Sequence, residues 1–232
     1  HPQSNSLPST LLEDLAREIH SAGANEDARL ILLRSAGNKA FCAGASFEEL
    51  SAIDSPEKGH AFFNGFSLVI NAIRKCPKLV IGRIHGKSVG GGVGLVAAVD
   101  YAIAVEGADI RLSELSIGIG PFVIAPAIER KIGKGGFSQL AIDAAHWRNA
   151  EWAQKKGLYA ELHPDIESMD ESIGKLTTTL AHSDPEAMKE LKKICWEGTE
   201  DWDRLLAERA AISGRLALSS FSKNAIAGFK AK

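Results

Sequence analysis

Apolar residues recur along this chain with two different periods, and the alternation between them sets the fold class. Leu12, Leu15, Ile19 and Ala22 fall at helical spacing. Ser9 or Thr10 is placed to cap this helix and Gly23 to stop it. RLILLRS, residues 29–35, is an unbroken apolar run between polar flanks, as in a strand buried on both faces. Helical spacing returns with Phe62, Phe66, Val69 and Ile73, opened by Ser55-Pro56 and closed by Cys76-Pro77. KLVIGRIH (78–85) then reads as a second buried strand, GGGVGLVAAV (90–99) as a helix, DYAIAV (100–105) as a third strand and DIRLSE (109–114) as a short extended piece. From Pro121 onward strand signals stop, and the remainder reads as helices broken near 133–136, 163–165 and 183–185. Strands alternating with helices imply parallel crossovers. The expectation is an α/β core over residues 1–140 followed by a helical region over residues 141–232.

Composition narrows the partners. The 232 residues are 45% hydrophobic and 24% charged, an ordinary globular balance with room for one large core. A net charge of -2 carries no electrostatic footprint for nucleic acid or a membrane surface, so an anionic ligand must be met by local donors. Cys42, Cys76 and Cys195 are widely spaced and form no CxxC pair, which argues against a disulfide framework or a zinc site. The longest apolar stretch, near 95–105, is interrupted by Asp100. The reading is a cytoplasmic protein with neither a nucleic-acid nor a membrane partner. HPQSNSLP reads as a loop feeding a helix, so a strand or two is expected upstream of His1.

Two glycine-rich turns carry the candidate chemistry: AFCAGASFEEL (40–50) and HGKSVGGGVGLVAA (85–98). GRIHGKS is one residue short of a phosphate-binding P-loop, and from Gly90 the dinucleotide pattern meets Leu95 where its third glycine belongs. Gly90, Gly91 and Gly92 serve either close packing of helix on strand or a bare helix start whose N–H groups accept an approaching ligand oxygen. Two such turns after two parallel strands can aim two donors at one point, as an oxyanion hole requires.

NKAFCAGASFEEL, IGRIHGKSVGGGVGLVAAVDYAIAV, LSELSIGIGP and WRNAEWAQKKGLYAEL together, in order and spacing, resemble the crotonase, or enoyl-CoA hydratase/isomerase, superfamily over essentially the whole chain. The resemblance implies a spiral of ββα units with a helical C-terminal region, and trimers, usually paired into hexamers. It implies an oxyanion hole formed by the N–H groups of Ala45 and Gly91, holding the thioester oxygen of an acyl-CoA. Coenzyme A is then part of the substrate, with no separate cofactor and no metal. Ala43, Ser46, Phe47 and Gly90 are the implied substrate contacts, although most members have Asp where this chain has Ser46. GFKAK at the end matches a closing aromatic-x-x-Lys in Phe229 and Lys232, which the resemblance sets beside adenine and phosphates; an exposed basic helix end is the alternative.

Hydratases of this family use two glutamates, and only the second is present. LSELSIG puts Glu114 at the matching place, whereas Gly94 stands where the first belongs. Glu114 is thus the implied general acid/base, with the apolar GPFVIAPAI beside it to raise its pKa. One carboxylate suffices for an isomerase, which returns a proton to the acyl chain. GGGVGL with IGIGPFVIAP, however, resembles the bacterial 3-methylglutaconyl-CoA hydratase branch, and favours hydration of a 2-enoyl-CoA. A catalytically silent acyl-CoA-binding relative is the third alternative. Glu48, Glu49 and Glu106 read as solvated, and His60, His85 and His146 as structural. Trp147, Trp152, Trp196 and Trp202 either belong to an assembly surface or cover the core. A branched or dicarboxylic acyl group would want a cation near its far end, a place to which the sequence assigns neither Arg130 nor Lys131.

Overall fold

The computed structural model describes residues 1–230, with side chains through residue 228. The chain opens with α1 (Ser9–Ala24), β1 (Ile31–Arg34), β2 (Ala40–Cys42), α2 (Phe47–Ser51) and α3 (Pro56–Lys75). It continues through β3 (Val80–Ile84), β4 (Lys87–Val89), α4 (Gly91–Ala98), β5 (Tyr101–Val105), β6 (Ile110–Arg111) and a 3₁₀ turn, Glu114–Ile117. Then come α5 (Ala125–Ile142), α6 (Ala150–Lys155), β7 (Glu161–His163), α7 (Ile166–Ala181), α8 (Pro185–Cys195), α9 (Trp202–Ala217) and α10 (Ser220–Lys230).

Strands β1, β3, β5 and β7 form one parallel sheet in that order, and β2, β4 and β6 a second. Each of the first three repeats therefore lays one strand in the larger sheet, a second in the smaller, and then turns into a helix. The consequence for function is geometric. The turns after β2, β4 and β6 leave the same end of one parallel sheet, which brings residues 43–46, 90–91 and 112–114 together.

Several expectations are corrected. Segment 29–35 is not buried on both faces: β1 is an edge strand with alternating exposure, and Leu32 is 38% exposed. β2, β4 and β6 have only two or three residues each, too few for periodicity to register. Strand structure also does not end at Pro121, because β7 pairs with β5 through Ala104 and Leu162. The α1 cap differs too. Pro8 occupies the cap position, and the Ser9 N–H and hydroxyl donate to Glu49 Oε2 at 2.9 and 2.6 Å. Glu49 is thus not a solvated charge: it ties α2 to the positive end of α1.

The core is centred on α3, which packs against α1 and α9. At the α3–α9 crossing a Cβ on Gly59 would lie 2.7 Å from the Gly214 α-carbon, so the two helices meet through glycines. The C-terminal helices are pinned to the sheet by Asp100, which accepts from the Val80 N–H (2.7 Å), Trp196 Nε1 (2.7 Å) and the buried Lys192 Nζ (2.9 Å). Trp196 and Trp202 are buried edge to face, at 5.7 Å between centroids, so these two aromatics cover the core.

Candidate active site

The first turn is braced from an unexpected quarter, the N-terminal segment. The Leu7 N–H donates to the Gly44 carbonyl (2.8 Å), the Ser46 N–H to the Leu7 carbonyl (3.0 Å) and the Ala43 N–H to the Ser4 carbonyl (3.1 Å). Among the described residues this leaves the Ala45 N–H without an acceptor. Gly44 has φ +88°, and a Cβ there would sit 2.8 Å from the Val89 carbonyl oxygen and 3.5 Å from the Gly91 nitrogen. The two glycine turns therefore touch, as only a bare residue permits.

In the second turn Gly90 takes φ 52° and ψ -121°, with its N–H donated to the Arg111 carbonyl at 2.9 Å. Gly91 then opens α4. The Val93 and Gly94 N–H groups turn back to the Gly90 carbonyl, while the Gly91 N–H, among the described residues, has no acceptor. Two free donors on adjoining turns, one at the positive end of a helix, can receive a developing negative charge.

Glu114 completes the arrangement. A Cβ on Gly90 would lie 2.7 Å from Glu114 Oε1, so the carboxylate occupies the space that glycine leaves. Its Oε2 is buried with no hydrogen-bond partner. Loss of water raises its pKa from 4.5 to about 7, opposed by its own and the Ser113 backbone N–H and by the charge of Arg111. At neutral pH both protonation states are populated, which suits a group that must take and return a proton.

These groups share one cavity of about 250 Å³, lined by Ala43, Gly44, Ala45, Phe47, Gly90, Gly91 and Glu114, with an apolar wall from Phe66, Ile117, Ile119, Phe122, Val123 and Ile124. Ser46 is not among the lining residues. It is buried and caps α2, its hydroxyl accepting the Glu49 N–H at 3.4 Å. The side chain of Phe229, and Lys232 entirely, lie outside the described residues. Arg130 and Lys131 are engaged elsewhere: Arg130 stacks 3.8 Å from the Trp196 ring centroid, and Lys131 donates to the Asp100 carbonyl at 2.9 Å. His60, His85 and His146 do not line the cavity. Burial pushes the Cys42 thiol up to about 11, which leaves it no thiolate at working pH. Among the described residues no cluster of three His, Cys, Asp or Glu side chains could hold a metal ion.

Sequence reasoning missed the three polar lining residues Arg111, Ser113 and Ser213. Arg111 and Ser113 share the short stretch with Glu114 and could have been found from it. Ser213 arrives from α9 and carries no local signal.

The structure also shows what fills the place of a second carboxylate. A Cβ on Gly94 would lie 2.3 Å from Ile124 Cγ2 and 2.6 Å from Ile124 Cβ. Gly94→Glu is therefore expected not to supply a second working carboxylate. It should cost about 1–3 kcal/mol or more of stability through overpacking, measured by urea unfolding. A Glu variant as stable as the native protein would contradict this packing.

The raised pKa of Glu114 has a definite sign in stability. Below about pH 4.5 the carboxyl is protonated in both folded and unfolded chains and costs nothing. As pH rises toward 7 the unfolded chain ionises first, so stability falls, and the full cost is present above about 7. Glu114→Gln is expected to match native stability near pH 4 and to exceed it by about 3 kcal/mol near pH 8. Equal denaturation midpoints at both pH values would show that the carboxylate is well solvated.

Comparison with known proteins agrees with this fold. The profile of the family described as Enoyl-CoA hydratase/isomerase matches residues 1–229. An enoyl-CoA hydratase of Alternaria alternata, AFT6-1, is 28% identical over 97% of this chain and 74% of its own length. A peroxisomal Delta(3,5)-Delta(2,4)-dienoyl-CoA isomerase of Arabidopsis thaliana is 26% identical over 84% of this chain and 74% of its own. The crystal structure of an enoyl-CoA hydratase from Bacillus halodurans superposes with a TM-score of 0.89, at 20% identity, covering 98% of this chain and 93% of that one. Paired parallel sheets, a ββα repeat and a helical C-terminal region are the fold of that neighbour as well. The chain belongs to the enoyl-CoA hydratase/isomerase family.

Proposed function

We propose that this protein hydrates a 2-enoyl-CoA, with Glu114 as its lone general acid/base and the N–H groups of Ala45 and Gly91 as the oxyanion hole. The observation that carries this reading is the seating of the Glu114 carboxylate against Gly90, next to the free Gly91 N–H, inside one largely apolar cavity. Glu114 takes a proton from water as the water oxygen bonds to C3. Negative charge moves to the thioester oxygen, where the two N–H donors stabilise it. The protonated Glu114 then delivers its proton to C2, so one molecule of water is added and the carboxylate is regenerated. The GGGVGL and IGIGPFVIAP segments, which resemble 3-methylglutaconyl-CoA hydratases, favour a branched acyl group.

Isomerisation is the second reading, and Ile124 favours it. With Ile124 packed over Gly94, no second carboxylate helps Glu114 hold a water, and a proton taken from C4 and returned at the other end of the allylic system needs none. Product mass separates the two: hydration adds one water, isomerisation adds nothing.

Assembly belongs to the same proposal. Leu191 and Ile194 on α8 and Ile142 at the end of α5 are largely exposed in the single chain, which supports burial between copies in a trimer or hexamer. Light scattering at micromolar concentration should give at least three times the chain mass; a monomer would contradict the assembly.

A further inference from the structure

We infer that Arg111, a residue on the wall of the same cavity, selects the substrate: its guanidinium receives a carboxylate at the far end of a short acyl chain, so the preferred thioesters are ω-carboxylated. This deepens the proposed function and rests on its acyl-CoA reading.

Three observations carry it. Arg111 lines the cavity, on the same short stretch as Glu114, yet its Nε is buried with no hydrogen-bond partner. Glu114 feels the charge of Arg111, yet no hydrogen bond joins the two; a buried guanidinium N–H without an acceptor is costly, and a ligand carboxylate would relieve that cost. The acids of this corner are already engaged: Asp109 with Lys87 at 3.7 Å, and Asp143 with Arg148 at 2.7 Å and His146 at 2.5 Å. Finally, the guanidinium is held in place by Trp147, whose ring centroid lies 4.8 Å from Arg111 Cζ and 4.8 Å from Lys87 Nζ. Of the two cations over this indole, Lys87 is paired with Asp109 and Arg111 has no salt bridge among the described residues, and a planar guanidinium fixed by stacking is suited to bidentate pairing with a carboxylate. Arg130 and Lys131, the cations that sequence reasoning considered for this task, are committed to Trp196 and Asp100. Arg111 is thus the cation among the lining residues.

The test needs no turnover. Glutaryl-CoA and pentanoyl-CoA are saturated five-carbon thioesters that differ at the chain end by a carboxylate, and their binding can be measured by calorimetry. Native protein should bind glutaryl-CoA about tenfold to hundredfold more tightly than pentanoyl-CoA. Arg111→Met should abolish or invert that preference, and Arg111→Lys should keep part of it. Equal binding of the two by native protein overturns the inference while leaving the acyl-CoA reading intact. Equal weakening of both in Arg111→Met also overturns it, since that assigns the guanidinium to a phosphate of coenzyme A. Binding of neither thioester overturns the acyl-CoA reading and this inference together. The comparison on native protein stands even if a variant fails to fold.

Discussion

Glu114→Gln is expected to lower kcat by about 10²- to 10⁴-fold while changing the affinity for a saturated acyl-CoA by far less. The substitution keeps the shape of the side chain beside Gly90 but removes its capacity to exchange a proton. The size of the effect follows from what surrounds the carboxylate. Besides Arg111 and Ser113, the cavity is walled largely by apolar residues such as Phe66, Phe122, Val123 and Ile124, and the place of a partner carboxylate is filled by Ile124 against Gly94, so no other acid in the lining can share the work. The pKa of about 7 adds a second signature: kcat/KM should rise with pH through roughly that value as the base form accumulates. A Gln variant with near-native turnover would show that the lone-carboxylate mechanism is wrong.

The oxyanion donors should show the next largest loss, but the structure changes how they must be tested. Gly91→Pro removes one N–H at a helix start, where proline's backbone is acceptable. Yet a Cβ on Gly91 would lie 2.1 Å from Phe66 Cε1 and 2.5 Å from Cζ. Gly91→Pro alone would therefore force the Phe66 ring aside and confuse packing with chemistry. Phe66→Leu removes those ring atoms. Measured against Phe66→Leu, the Phe66→Leu/Gly91→Pro double variant is expected to lose about 10²- to 10³-fold in kcat, the usual worth of one oxyanion donor. Equal rates in the single and double variants would take Gly91 out of the transition state.

How much of this was legible beforehand depended on the range of the interaction concerned. Helix α3 was readable because its apolar stripe and its Ser55-Pro56 and Cys76-Pro77 boundaries are local. The glycine turns were readable because only glycine tolerates their backbone angles and close approaches. The smaller sheet was not, since strands of two or three residues carry no period. It is nevertheless that sheet which gathers the turns into one place. Contacts distant in sequence were equally hidden: Leu7 bracing Gly44, Glu49 capping α1, Ile124 over Gly94 and Ser213 entering from α9. Ser46 shows the opposite hazard, a motif position whose side chain the fold has spent on capping a helix.

The central claim is that this cavity adds water across a thioester-conjugated double bond using Glu114 alone, and product mass tests it most directly. Native protein and Glu114→Gln are incubated with straight and branched 2-enoyl-CoA thioesters, conjugated absorbance is followed, and the products are weighed by mass spectrometry. Native protein should consume the conjugated thioester and yield a product heavier by one water, with the Gln variant at least about a hundredfold slower. A product of unchanged mass with its double bond moved, or equal rates of hydration by both proteins, would contradict the account.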